Sequence, residues 1–173
     1  QASESKPVVV ILAGGSGKRF WPYSRINKPK QLLAIYSAKT LLYETIQRAA
    51  ALTHKKNIFI GTSEILKKAI LKMHPDFPKE NFIIEPEAKN TAPIIALSAL
   101  HIRKKFGNPP MIVLSADHFI KPVSKFKIAI QKAIRIAQKD YLVALGIKPL
   151  RPDENYGYIK KGHQLGVENC HSL

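Results

Sequence analysis

Cysteine is almost absent from this chain: of its 173 residues, only Cys170 carries a thiol. That excludes a disulfide framework and any zinc site built on cysteines. Long apolar runs are missing as well. None approaches the roughly 18 residues that span a bilayer. The run Val8 to Ala13 is too short for a secretory core, and no cleavage pattern comes after it. The expectation is a cytoplasmic protein with no membrane partner. Acid is scarce too, 12 Asp+Glu against 28 Lys+Arg, for a formal net charge of +16. Such an excess invites nucleic acid. Arginine, however, forks onto phosphates and guanine edges, and only six of the cations are arginines (Arg19, Arg25, Arg48, Arg103, Arg135, Arg151). The lysines cluster in pairs such as Lys55-Lys56, Lys67-Lys68, Lys104-Lys105 and Lys160-Lys161, in what read as helix ends and loops. No basic stripe interleaves with aromatics, and there is no helix-turn-helix or RNP-like signature. No specific nucleic-acid partner is expected. The charge reads as solvated surface plus a site for an anionic small molecule.

What the chain does have is apolar residues, 45% of the total, a normal share for a globular protein. A chain of this length buries roughly 70% of the surface its unfolded state exposes. Short β-branched runs alternate with amphipathic stretches. Val8 to Leu12, Asn57 to Gly61, Phe82 to Ile84, Met111 to Leu114 and Tyr141 to Leu145 read as strands. Leu41 to Leu52, a stretch N-capped by Ser63, Thr91 to about Phe106, and Phe126 to Gln138 read as helices, with Thr91 as a candidate N-cap and Pro93 tolerated in the first turn. The alternation argues for an α/β fold: a doubly wound, mostly parallel, Rossmann-like sheet with helices on both faces. The expected organisation is a polar, frayed start over Gln1 to Lys6, one domain over 7–161, and an irregular tail over 162–173. Ligands of such sheets bind beyond the carboxyl ends of the strands, which are Ala13-Gly14-Gly15, Gly61-Thr62, Glu85-Pro86, Ser115-Ala116-Asp117 and Gly146-Ile147.

Ala13 to Arg19 reads AGGSGKR directly after a strand that reads as buried. Two phosphate motifs fail there. A P-loop would place its first glycine at Leu12 and its Ser/Thr at Arg19, losing the magnesium hydroxyl. The dinucleotide fingerprint fits Gly15 and Gly17 but meets Phe20 at its third glycine. What remains is a glycine loop followed by Lys18, Arg19, Arg25, Lys28 and Lys30, with no acidic residue between Lys6 and Tyr43. A flexible surface turn with a basic flank would look the same, but Pro22 and Pro29 stiffen the stretch. A rigid cationic loop at a strand end suits a polyphosphate. A unit charge pair 4 Å apart is worth roughly 4 kcal/mol at an effective dielectric near 20, so a few cations stabilise a pyrophosphate leaving group appreciably.

These residues carry a resemblance. Gly14 to Arg25 (GGSGKRFWPYSR), with Pro29-Lys30-Gln31, is similar to the signature of sugar-phosphate nucleotidyltransferases, and within them to the mannose-1-phosphate guanylyltransferase pattern GGxGxRLWPxSRxxxPKQ. Glu85 to Pro93 (EPEAKNTAP) resembles that family's EPxxRNTAP, Ala116-Asp117-His118 its ADH, and Gly146-Ile147-Lys148-Pro149 with Tyr156-Gly157-Tyr158-Ile159 its GIxPxxPExGYGYI. The blocks keep their order from Val8 to about Ile159. The resemblance implies transfer of a guanylyl group from GTP to mannose 1-phosphate, giving GDP-mannose and pyrophosphate. A thymidylyl- or uridylyltransferase and a non-catalytic nucleotide-binding fragment are the alternatives.

The resemblance also implies roles. Leu12, Ala13, Gly14, Gly15, Ser16, Gly17 and Lys18 would line the nucleotide, the glycine amides cradling it. Arg19 would hold the β- and γ-phosphates, and Lys30 would neutralise charge near the α-phosphate. Asp117, at the end of an apolar strand, would be the catalytic carboxylate and the ligand of Mg²⁺, which needs only one or two protein carboxylates. His118 would support it by hydrogen bonding. Glu85, Asn90 and Thr91 would lie near the base and ribose, unless Thr91 simply caps its helix. Tyr156, Gly157 and Tyr158 would approach the sugar. Lys89 stands where the family usually has Arg, which forfeits a bidentate fork, and Asp153-Glu154-Asn155 departs from the segment that usually precedes the tyrosines. Members of the family continue beyond the last block, so the domain is expected to be truncated at its C-terminal side. A homo-oligomer is left open.

Overall fold

A computed structural model describes residues 6–15, 22–24, 29–87, 89–166 and 170–172. The expected frayed start lies outside these residues except for Lys6. The chain forms two compact units, Gln1–Lys127 and Ile128–Leu173.

The first unit is built on a sheet. β1 (Val8–Leu12), β2 (Ile58–Thr62), β3 (Phe82–Ile84) and β4 (Met111–Ser115) run parallel in the order β3-β2-β1-β4. β1 is central because every one of its residues is apolar and can be covered on both faces. Alternation divides those faces. Val8 and Val10 pack with Phe59, Ile83, Ile94 and Ile102. Val9, Ile11, Ile58 and Ile60 are equally buried and point the other way. α3 (Thr91–Phe106) supplies Ile94 and Ile102 to the first group, whereas α1 (Leu41–Ala50) packs on β1 and β2. The doubly wound parallel architecture expected from the sequence is therefore present.

The helix starts follow capping chemistry. Thr40 accepts from the Tyr43 amide at 3.0 Å to start α1, and Ser63 accepts from the Leu66 amide at 3.4 Å to start α2 (Glu64–Met73). At α3 the expectation needs correction. The capping position is Asn90, at φ 68°, and Thr91 is the first helical residue, exposed. Asn90 takes the turn at positive φ with ψ −159°, so the chain enters the helix one residue earlier and the Thr91 hydroxyl is left without a capping role. α4 (Val123–Ala137) begins three residues before the expected Phe126.

The fifth strand, Tyr141 to Leu145, does not form. Tyr141, Leu142, Val143 and Leu145 are exposed, Leu142 fully. β-propensity expresses packing and ladder partners rather than a backbone preference. Among the described residues this segment has no ladder partner, so its apolar composition cannot be converted into a strand. The strand end expected at Gly146-Ile147 falls with it. In the tail, where no element was expected, Gln164 and His171 form a single antiparallel bridge, flanked by backbone bonds from Gly162 to Ser172 and from Leu165 to Cys170.

Candidate functional site

The sheet order sets the location. From β1 the chain moves outward through β2 and β3, then returns to place β4 on the other side of β1. The C-terminal ends of β1 and β4 thus flank a topological switch point, where open parallel sheets bind ligands. The strand exits are tied together by backbone. The Ala13 amide donates to the Gly61 carbonyl at 2.8 Å, Ala116 to Leu12 at 3.1 Å, and Glu85 to Thr62 at 2.9 Å.

The glycine loop leaves β1 above this rim, and its base is held by one atom. The Ala13 carbonyl accepts from Gln31 Nε2 at 2.7 Å and from Thr62 Oγ1 at 3.0 Å, all within buried surroundings. Gln31 belongs to a 3-10 turn, Lys30–Leu32, that follows Pro29. The same turn delivers Lys30. A β-carbon on Gly15 would lie 3.4 Å from Lys30 Cε and 3.7 Å from its Nζ, so the ammonium rests against bare loop backbone. On the other side, a β-carbon on Gly14 would lie 3.1 Å from Glu85 Oε2. The two glycines leave both groups room to close on the loop.

Lys30 also meets the exit of β4. Its Nζ forms an ion pair and hydrogen bond with Asp117 Oδ2, both side chains being mostly buried. Ser115 Oγ donates to the other oxygen, Oδ1. Burial alone would raise the Asp117 carboxyl, but the hydrogen bonds from Lys30 and Ser115 and the adjacent ammonium outweigh it and hold the group below the usual carboxylate range. At Glu85 burial pushes the carboxyl up, with no offsetting partner among the described residues. Two carboxylates at one rim thus differ: Asp117 is held as an anion, and Glu85 takes a proton more readily.

A hard divalent cation is compatible with this donor set. Asp117 offers charged oxygen held ionised. No group of three or more His, Cys, Asp or Glu that could hold a metal occurs among the described residues. An ion that takes most of its ligands from phosphate and water, as magnesium does, fits one carboxylate of this kind.

Of the sequence-expected residues, Ala13, Gly14, Gly15, Lys30, Glu85 and Asp117 come together. Leu12 contributes its carbonyl to the rim while its side chain packs against the core. Ser16, Gly17, Lys18 and Arg19 lie outside the described residues. Asn90 and Thr91 stand exposed at the start of α3, and Lys89 pairs with Glu87 at 3.0 Å on the surface. His118 is exposed and acts through its carbonyl rather than its ring. Tyr156, Gly157 and Tyr158 lie in the second unit and are exposed. There the Tyr158 hydroxyl accepts from the Asp153 amide at 2.6 Å and donates to the Asp153 carbonyl at 3.1 Å, closing a local turn. Sequence reasoning gave no role to Gln31, Thr62 or Ser115. Gln31 stood inside the quoted Pro-Lys-Gln motif and Thr62 and Ser115 at quoted strand ends, so position was the available signal.

The chain resembles proteins of known name. The nucleotidyl transferase family model matches residues 8–170. A mannose-1-phosphate guanylyltransferase of Escherichia coli is 40% identical over 98% of this chain and 37% of its own length. The xanthan biosynthesis protein XanB of Xanthomonas campestris (strain B100) is 37% identical over 91% of this chain and 34% of its own. Among solved structures, one described as mannose-1-phosphate geranyltransferase from Thermus thermophilus superposes with a TM-score of 0.84 at 30% identity, covering 93% of this chain and 47% of that one. The chain spans about a third of the length of the curated relatives it matches. No described helix is long and apolar enough to cross a membrane. With the family model covering nearly the whole sequence and the glycine loop, lysine and aspartate gathered at the sheet's switch point, this chain belongs to the nucleotidyl transferase family.

Proposed function

We propose that this chain carries the nucleotide side of a guanylyl transfer, with GTP over Gly14 and Gly15, mannose 1-phosphate as acceptor, and GDP-mannose and pyrophosphate as products. One observation carries the reading. Bare glycine backbone, the Lys30 ammonium and the ionised Asp117 meet at the exits of β1 and β4, in a chain whose relatives include proteins named mannose-1-phosphate guanylyltransferase.

An acceptor phosphate oxygen forms a bond to the α-phosphorus while the bond from that phosphorus to the pyrophosphate oxygen breaks. Protein groups need only position the reactants and neutralise charge. Lys30 is suited to the α-phosphate because its ammonium already lies against Gly15. Arg19 is assigned to the β- and γ-phosphates, and the loop amides, those of Ser16, Gly17 and Lys18 included, to the nucleotide. Asp117 would hold Mg²⁺, which when bound offsets phosphate charge. Glu85, Asn90 and Thr91 are assigned to base and ribose, and Tyr156, Gly157 and Tyr158 to the sugar. The setting is cytoplasmic.

Calorimetric titration of GTP into the chain tests this. Saturable, magnesium-dependent binding is expected, with UTP and dTTP competing more weakly. Lys30→Met should weaken GTP by about tenfold, the equivalent of one charge-assisted hydrogen bond, and Asp117→Asn should remove the magnesium dependence. Wild-type GTP affinity in both variants would overturn the reading. Turnover of mannose 1-phosphate is a separate assay, to be run on the same preparation.

A further inference from the structure

Behind the Asp117 turn, α1 holds an arginine where stability alone gives no reason for one. Arg48 is 4% exposed. It forms no ion pair among the described residues, and its Nε, also buried, has no hydrogen-bond partner there. Burial lowers its pKa, opposed by the nearby charge of Glu44. A guanidinium keeps its charge nonetheless. Burying such a group is costly, and apolar side chains of similar volume often serve stability as well or better.

Its hydrogen bonds indicate what it holds. Arg48 Nη2 donates at 2.8 Å to the carbonyl of His118 and at 2.8 Å to Thr45 Oγ1. Thr45, three residues earlier and therefore on the same face of α1, donates its hydroxyl at 3.3 Å to the carbonyl of Ala116. The two carbonyls belong to the residues immediately before and after Asp117. A buried pair on one helix therefore holds the peptide that enters Asp117 and the one that leaves His118, bracketing the carboxylate's turn.

We infer that Arg48, acting with and through Thr45, is a positioning residue for Asp117 that keeps its carboxylate in one orientation toward the metal–phosphate position. The inference rests on the function proposed above and deepens it. The other side-chain constraints on the carboxylate are direct, from Ser115 and Lys30. Lys30 is the group assigned to phosphate, so its hold on Asp117 is spent when nucleotide binds. The Arg48–Thr45 clamp depends on no ligand and remains.

The test is the ratio of GTP dissociation constants without and with Mg²⁺, measured by calorimetry beside each variant's melting temperature. Asp117→Asn should abolish the ratio. Arg48→Gln, Arg48→Lys and Thr45→Val should each lower it by about tenfold, the usual effect of losing a partner that orients a metal ligand. Magnesium-free GTP affinity should stay at the wild-type value. Thr45→Ser, which keeps the hydroxyl, should restore the ratio. If Arg48→Gln and Thr45→Val lower only the melting temperature while Asp117→Asn abolishes the ratio, Arg48 is merely structural and the inference is overturned, with the function intact. If wild type shows no ratio, or Asp117→Asn retains it, the role given to Asp117 fails and this inference with it. Should Arg48→Gln fail to fold, the Thr45 pair, close in volume, decides.

Discussion

The two units of this chain contain comparable apolar runs and do opposite things with them. In the first, Val8 to Leu12 lies between two parallel neighbours, and Val8 to Ile11 are completely buried. In the second, Tyr141 to Leu145 is just as apolar and is exposed without a ladder. The difference is not in side-chain chemistry. A strand is a relation between segments, and stability follows the partner rather than the run. The candidate site obeys the same rule: its residues are fixed where neighbouring strand exits bond to one another.

The most direct way to break the comparison is to remove a partner. Phe59 on β2 is fully buried and meets Phe106 edge to face at 5.9 Å between centroids. Phe59→Ala should destabilise the first unit by about 3–5 kcal/mol, the range for truncating a core aromatic. Urea unfolding followed by circular dichroism measures it. A loss below about 1 kcal/mol would show that the sheet is not the stabilising element.

A smaller change separates loop from core. Thr62 is buried and donates to the Ala13 carbonyl. Thr62→Val keeps the volume and removes that donor, at a cost of about 1 kcal/mol. Because Gln31 still holds the same carbonyl, GTP affinity should fall less than in Lys30→Met. Equal losses would place the loop's anchor at Thr62 rather than shared between the two.

Protonation reaches the helix layer without altering a strand. The Thr40 hydroxyl accepts from the Tyr43 amide, which leaves its proton for His74 Nε2 at 3.2 Å. Burial lowers the His74 pKa. The folded state therefore binds this proton less readily than the unfolded chain. Stability should be complete above the unfolded value near 6.5 and decline as pH falls below it. Melting temperatures measured from pH 7.5 down to 5.5 should show that decline, and His74→Gln should flatten it. An identical slope in the variant would move the cause elsewhere.

Much of this architecture was legible because the first unit's strands announce themselves twice, by composition and by the residue that closes each of them. Val8 to Leu12 runs out toward glycines, Phe82 to Ile84 into Glu85, and Met111 to Leu114 toward Asp117; each run is short, apolar and followed by a chemically distinct residue. The helix cap Ser63 was likewise a local choice. What stayed hidden needs distance. Nothing near position 31 says that Gln31 reaches the Ala13 carbonyl, and nothing near position 48 says that Arg48 grips the turn after β4. Those contacts join residues 18 and 70 positions apart. Asn90 escaped for another reason: its backbone, at φ 68° and ψ −159°, is one that its residue type does not favour, so the neighbouring threonine was the more obvious cap.

The smallest expected effect is the sharpest probe of the comparison. Leu142 is fully exposed, so Leu142→Asp removes no packing and adds a charge that water solvates. Surface substitutions of this kind stay within about 0.5 kcal/mol, and urea unfolding should place this variant there, while the same leucine-to-aspartate change at buried Leu42 on α1 should unfold the first unit. The pair has matched chemistry, and its main difference is burial, Leu42 within a packed helix and Leu142 in an exposed segment. A large loss at Leu142 would mean that the Tyr141 to Leu145 segment is covered in solution, and the contrast between the units would then lie in which partner each run finds rather than in whether it finds one.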